Sequence, residues 1–379
     1  MSKIWDPLAD MPDLQGKIAL VTGGNAGIGY ATVKFLALGG AKVYLAARSE
    51  SRAIAAIRRL CTENPAIKGD RIVWLPLDLS DPKAVIKAVD EMKRKEEKLD
   101  ILINNAGIGL SDFQVNDAGW EMVMAVCHVG HFVLTLGLLP LLKKATSEED
   151  ADVRVLTVSS IITTALVPLD FDFGFDSPTF LTDHKTFTSL QWKILSKLVV
   201  KVDMPRDAMA KTANVLFAQE LQRLLDAKGI PILSMSLHPG GVGTEGARAV
   251  FTNLVKPLIW LNSITTDQGA VTSLFAATAK VVRENEDMYG GKYLLPFGEV
   301  SPTHPVTKDE RQPNFLLSRA VLLCGLAGSK LGGAPRGFSV SLSDRHGQAQ
   351  TLKKSLVGRG VIAPSARPGP IRSKTQPMF

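Results

Sequence analysis

The run Thr22-Gly23-Gly24-Asn25-Ala26-Gly27-Ile28-Gly29 has the composition of a loop that holds a phosphate. Glycines let backbone amides approach a pyrophosphate, and a helix starting there adds unpaired N–H groups and the positive end of its dipole. That chemistry needs a strand before the loop and a helix after it. Lys17 to Thr22 is a short β-branched run, and apolar residues at helical spacing follow from Ile28 to Leu38. A second apolar run, Lys42 to Ala47, ends on Arg48. At this place an acid accepts the adenosine ribose hydroxyls of NAD, whereas an arginine pairs with the 2′-phosphate of NADP. After this run no carboxylate occurs before Glu50, so NADP(H) is favoured over NAD(H).

The elements that must position this loop follow in alternation. Strands are expected at Arg71–Leu75, Leu99–Ile103, Asp152–Val158, Ile232–Leu237 and Lys292–Leu295, with long helices over Trp120–Lys144 and Met204–Ala227. Thr265 and Gln268 fit a capping box for a helix running to about Val282. Strands alternating with helices imply an α/β fold, a Rossmann-type doubly wound parallel sheet of about seven strands in a single domain over residues 1–300. Asp78-Leu79 follows the third strand and Asn104-Asn105-Ala106-Gly107 the fourth. Residues 163–203 form an insertion, rich in Asp and Phe at first, of a length that suits a binding loop or lid.

The chain has 379 residues, 45% of them apolar, enough for a sizeable core. Its net charge of +7 invites an anionic partner, but the excess is local. Residues 301–379 carry twelve Lys and Arg against three acids, together with eight prolines and nine glycines, and read as a mostly disordered basic tail. No aromatic interleaving or groove-reading module accompanies that charge, so no nucleic-acid partner is expected. Three cysteines without paired spacing point to a reducing compartment, and no ligand pattern suggests a metal site. Met1 to Pro12 does not resemble a signal peptide, and Phe132–Leu142 is shorter than the roughly 20 residues of a membrane helix. A cytoplasmic protein with no membrane span is the expectation.

The motifs T-G-x-x-x-G-I-G and N-N-A-G, with Gly130–Lys144, Val158–Ser160, Ala210–Leu221 and His238–Thr244, resemble the short-chain dehydrogenase/reductase superfamily. The similarity is to the branch of retinol dehydrogenases and fungal secondary-metabolite reductases, and it spans about residues 15–300. It implies that Thr22, Gly23, Asn25, Gly27, Ile28 and Gly29 hold the cofactor, with Arg48 on its phosphate and Asp78 on the adenine. Asn105, Ala106 and Gly107 then line the adenosine ribose side, and Val242 and Thr244 the carboxamide and pyrophosphate.

The same resemblance implies a catalytic serine at Ser160 and a lysine at Lys211, which also holds the nicotinamide ribose. The family's tyrosine position is then Asp207, and its asparagine position Cys127. A register on Ser196-Lys197 would lose the A-N-x-L-F match and is rejected. Tyr289 and Tyr293 are the only tyrosines late enough in the chain to approach the pocket. An ionised Asp207 cannot donate a proton, although burial can keep a carboxylic acid neutral. Three readings stand side by side: a reductase taking its proton from water, Ser160 or neutral Asp207; a crippled reductase; or an NADP-binding cyclase, isomerase or pseudoenzyme.

His128 and His131 read as packing residues, His184 as a solvated loop histidine and His238 as part of a turn. The segment 245–264 follows the cofactor loop and mixes Val, Phe, Leu, Ile and Trp with few charges. In the resembled family it lies over the substrate, which suggests a lipophilic ketone or secondary alcohol of secondary metabolism. A homo-oligomer is usual in that family.

Overall fold

The computed structural model describes residues 5–308, apart from 110–111, 166, 176, 178–179, 183–185, 187, 202, 245, 247–250 and 262. His184, the tail from 309 onward and part of the 245–264 segment lie outside the described residues.

Short β-branched runs form the strands: β1 (Ile18–Thr22), β2 (Lys42–Ala47), β3 (Ile72–Pro76), β4 (Ile101–Asn104), β5 (Val153–Val158), β6 (Ile232–Leu237), β7 (Tyr293–Leu295) and β8 (Glu299–Ser301). They make one sheet in the order β3-β2-β1-β4-β5-β6-β7-β8. Every pairing is parallel except the last, where β8 runs antiparallel to β7. Among the described residues the sheet therefore has eight strands, in keeping with the expectation of about seven. Glu299, Val300 and Ser301 carry little burial, so their pattern announces no strand, and backbone pairing to β7 alone defines it.

Between β1 and β4 the strand order reverses, and the carboxyl ends of these two strands open the crevice where such sheets bind ligands. The helices cover both faces. Leu20, Leu102 and Val155 point into one core with α3 (Pro82–Lys95), α4 (Met122–Ala145) and α7 (Met204–Asp226). Their neighbours Val21, Ile103 and Leu156 point into the other, with α1 (Gly27–Leu38), α2 (Glu50–Glu63) and α9 (Thr266–Thr278). Alternation along each strand produces this division.

Helix α4 starts two residues later than expected and contains a π-helical turn over Ala125–Val129. It is long and apolar enough to cross a bilayer by those criteria, yet it is almost wholly buried within the fold. The expected capping box is present: Thr265 accepts from the Gln268 backbone, and Gln268 accepts from the Thr265 backbone. The helix behind it ends at Thr278, and α10 (Lys280–Glu284) and α11 (Glu286–Tyr289) follow as separate turns.

The insertion contains α5 (Ile162–Ala165) and α6 (Leu190–Val199). Its Asp/Phe-rich stretch is anchored in the fold, with Phe173, Phe175 and Phe180 buried to about 1% exposure. His304, beyond the expected boundary at 300, packs edge-on against Phe173 and contacts the carbonyl of Pro168. Residues 302–308 thus extend the fold. A short helix, α8 (Lys256–Leu261), lies in the segment after β6.

Candidate active site

The cofactor end is organised around one hydroxyl. Thr22, fully buried at the end of β1, accepts hydrogen bonds through Oγ1 from the backbone N–H groups of Asn105 and Ala106, each at 2.9 Å. With two donors already aimed at this oxygen, its own proton goes to Nε2 of His131, 2.8 Å away. The Nδ1–H of that ring then donates to the Cys127 carbonyl at 3.1 Å. Burial pushes His131 down to about 3, which keeps the ring neutral as this arrangement needs. Asn105 Nδ2 donates back to the Thr22 carbonyl at 2.8 Å.

The glycine loop is shaped by what surrounds it. A side chain at Gly29 would meet the Gly23 carbonyl at 2.4 Å and Asn105 Nδ2 at 2.6 Å. Gly27 adopts φ +56°, and a side chain there would meet Cγ2 of Thr244 at 3.2 Å. The loop after β6 therefore closes on the start of α1. Ala26 offers that helix no side-chain cap, and its first turn has no acid, so its N–H groups face the loop without a protein acceptor from either source. Asn25 and Ile28 are partly exposed in the same turn. These features fit a dinucleotide pyrophosphate. The Val242 side chain is buried against Gly269.

Arg48 extends into solvent at 69% exposure, with Nη1 4.0 Å from Oδ2 of Asp78. The other oxygen of Asp78 accepts from Ser80 Oγ at 2.6 Å and from its N–H at 2.9 Å. Two residues expected to hold the adenosine moiety are thus brought together, and Asp78 is held in place by its own turn.

The chemical end lies where β5 meets α7. Ser159 Oγ donates to the Lys211 carbonyl at 2.8 Å, and Lys211 Nζ donates to the Val158 carbonyl at 3.4 Å. Ser160 Oγ accepts from the Ile162 N–H at 3.3 Å, while its carbonyl accepts from Thr163 Oγ1 at 2.9 Å. A side chain at Gly107 would meet Lys211 Nζ at 3.4 Å and Cys127 Sγ at 3.6 Å. Lys211, Gly107 and Cys127 consequently belong to one neighbourhood, and Ser159, bonded to the Lys211 backbone, sets Ser160 next to it in the chain.

Cys127 is fully buried, and its thiol is engaged by the backbone of Ile108, accepting at 3.3 Å and donating at 3.5 Å. Burial pushes this thiol up, so it remains protonated. The Cys127 side chain is a latch on the loop after β4, and its carbonyl, in the π-helical turn, does the wider work. That carbonyl accepts from His131 and, at 3.0 Å, from Nδ2 of Asn214, which also donates to the Val158 carbonyl at 3.2 Å. Asn214 Oδ1 in turn accepts from His128 Nδ1 at 3.0 Å.

Asp207 lies in the first turn of α7 and is partly exposed. Burial holds its carboxyl group above the usual carboxylate range, against the pull of Lys211 one turn on. Beside it, Arg206 is almost wholly buried. It bonds the Asp112 carbonyl at 2.9 Å, pairs with Glu121 at 3.2 Å and pairs with Asp203 at 3.1 Å. Glu121 also accepts from the first N–H groups of α4. This network fixes the helical turn that carries Asp207. Burial likewise lowers His238 to about 4. Tyr293 is buried in β7 with its phenol raised by that burial, and Tyr289 is buried in the opposite core.

Sequence reasoning did not assign Asn214, His131 or Ser159 to the site. Asn214 stood within the quoted A-N-V-L-F run, so a signal was present. Thr22, the partner of His131 across the site, lies 109 residues away in sequence, and no local pattern reports that pairing.

A doubly wound sheet with a glycine-lined helix start at its switch point defines a dinucleotide-binding protein of the oxidoreductase type. The short chain dehydrogenase family model matches residues 17–169. The chain is 45% identical over 315 residues to the short chain dehydrogenase/reductase dpchH of Colletotrichum higginsianum, covering 80% of this chain and 74% of that protein. It is 33% identical to human polyprenol dehydrogenase, covering 83% and 87% of the two chains. A short chain dehydrogenase from Burkholderia cenocepacia, solved in complex with NADP, superposes with a TM-score of 0.54 at 25% identity, over 75% of this chain and 97% of that one. This chain belongs to the short-chain dehydrogenase/reductase family, enzymes that bind a nucleotide cofactor and act on small molecules.

Proposed function

We propose that the protein is an NADP(H)-dependent reductase that interconverts a ketone and a secondary alcohol on a lipophilic small molecule, with neutral Asp207 as the proton donor. The observation that carries this reading is the raised ionisation of Asp207 one helical turn before Lys211, whose carbonyl accepts from Ser159, the neighbour of Ser160 in the chain. When bound, the nicotinamide supplies or accepts the hydride. The chain's own part is to hold the substrate oxygen near the Ser160 hydroxyl and to deliver a proton from the Asp207 carboxyl group. Lys211, anchored on the Val158 carbonyl, contributes the positive charge that would hold the nicotinamide ribose.

Arg48, exposed and near Asp78, favours the 2′-phosphate of NADP over the bare ribose of NAD. The apolar 245–264 segment supports a lipophilic substrate of secondary metabolism, in keeping with a relative named polyprenol dehydrogenase. A cytoplasmic setting follows from the three cysteines without paired spacing.

A second reading, an NADP-binding protein without redox turnover, is favoured by a different observation. Cys127 replaces a polar relay group, and its thiol is taken up by Ile108. Fluorescence titration with NADPH and NADH, followed by NADPH oxidation against a ketone panel, decides between them. The first reading expects tighter NADPH binding and measurable turnover by the natural chain. Turnover only in Asp207→Tyr would establish the second, and tight binding of neither nucleotide would overturn both.

A further inference from the structure

Helix α6 presents an unusual face for a folded enzyme. Leu190, Ile194 and Leu198 stand four residues apart, so they form a single stripe along the helix. Their exposures are 70%, 50% and 51%. Burial of large aliphatic side chains is the rule, and an ordered row of three turned to water marks an interaction surface.

The row continues onto a second segment. The Thr252 N–H donates to the Val199 carbonyl at 3.0 Å, its Oγ1 donates to the Leu198 carbonyl at 2.6 Å, and Val200 forms a β-bridge with Phe251. The segment held in this way carries Leu254 at 73% exposure and Leu261 at 84%.

Among the described residues of α6 the charged side chains are lysines, and Asp183 and Asp203 flank the segment in the sequence. Lys193 and Lys197 lie on α6 and Lys201 just beyond it, all exposed and again four residues apart. From His184 to Val202 the sequence has four lysines and no acid. An apolar row edged by lysines is the pattern of a helix lying in the plane of a bilayer, with side chains among acyl chains and ammonium groups at anionic headgroups.

We propose that α6 and residues 251–261 dock on the surface of an anionic lipid bilayer. A second copy of the chain is a poorer occupant. A two-fold contact through this patch would set the two lysine rows against each other, and protein interfaces are depleted of lysine for that reason. The site lies close by in the chain, because Val200–Asp203 leads from α6 into the α7 turn that carries Asp207. If the lipophilic-substrate reading holds, docking would bring the site to the phase in which such a substrate dissolves. The docking itself does not depend on that reading.

The test is flotation of the full-length protein, without cofactor or substrate, on vesicles of phosphatidylcholine alone and of phosphatidylcholine with about one third phosphatidylserine. Binding is expected on the anionic vesicles and should fall about tenfold in Leu190→Ser/Ile194→Ser/Leu198→Ser. The Lys193→Gln/Lys197→Gln/Lys201→Gln variant should lose the preference for anionic lipid and retain its circular dichroism and melting temperature. Undiminished binding by both variants would place the contact elsewhere, such as the basic 301–379 segment, and would overturn the proposal. So would a dimer in sedimentation that the serine variant converts to monomer. Neither outcome bears on NADPH oxidation, which reports the oxidoreductase reading separately.

Discussion

Thr22 and Asp207 mark the two ends of the site, and they are built in opposite ways. The Thr22 hydroxyl is saturated: two backbone donors and one imidazole fix it, and through them it holds β1, the loop after β4 and the π-helical turn of α4. Among the described residues, no side-chain hydrogen bond holds the Asp207 carboxyl group. It is governed by burial on one side and the charge of Lys211 on the other. Saturated groups set geometry, whereas a group left between two opposing influences is free to change its protonation.

That contrast can be broken at either end. The largest effect belongs to Thr22→Val, which leaves the Asn105 and Ala106 N–H groups and the His131 ring without their partner. A loss of about 3 kcal/mol is expected, read by urea unfolding, along with weaker nucleotide binding. Next comes Gly29→Ala, whose methyl group has no room between the Gly23 carbonyl and Asn105. It should cost about 2 kcal/mol. Gly69→Ala, with nothing within 4 Å, should be silent in the same assay. Arg48→Ala should leave folding unchanged and weaken NADPH about tenfold, or about 1.4 kcal/mol, while NADH changes little.

The smallest effect is on the Asp207 side and depends on pH. Because folding raises its ionisation, the natural chain loses stability as pH rises from the unfolded value near ~3.9 through the raised folded value. Asp207→Asn has no such loss. Its melting temperature relative to the natural chain should therefore increase between pH 4 and pH 7. A constant difference across that range would show that the carboxyl group ionises as it does in the unfolded chain.

The cofactor end was the more legible of the two in the sequence, for a physical reason. A glycine loop between a strand and a helix, and a capping box at Thr265 and Gln268, are local patterns whose meaning is set by neighbours in the chain. The hub itself was hidden, since Thr22 and His131 are joined only by the packing of α4 on the sheet. Ser160 and Lys211 were placed by resemblance. The consequences of Asp207 stayed open because spacing alone gives its distance from Lys211 in chain turns and says nothing of how deeply the carboxyl group is packed. Strand β8 and the buried phenylalanines of the insertion escaped for a related reason: the one lacks an apolar pattern, and the others are interleaved with aspartates that suggest solvent.

Burial raises the ionisation of Asp207, and on the proposed reading its carboxyl group serves as the acid. Measuring ketone reduction by NADPH across pH in the natural chain and in Asp207→Asn tests it most directly. The natural chain should reduce its substrate with a rate that declines as pH rises through the raised Asp207 ionisation. Asp207→Asn should lose that limb and about a hundredfold in rate, with NADPH binding intact. An asparagine variant that keeps both the rate and the pH profile would contradict the account.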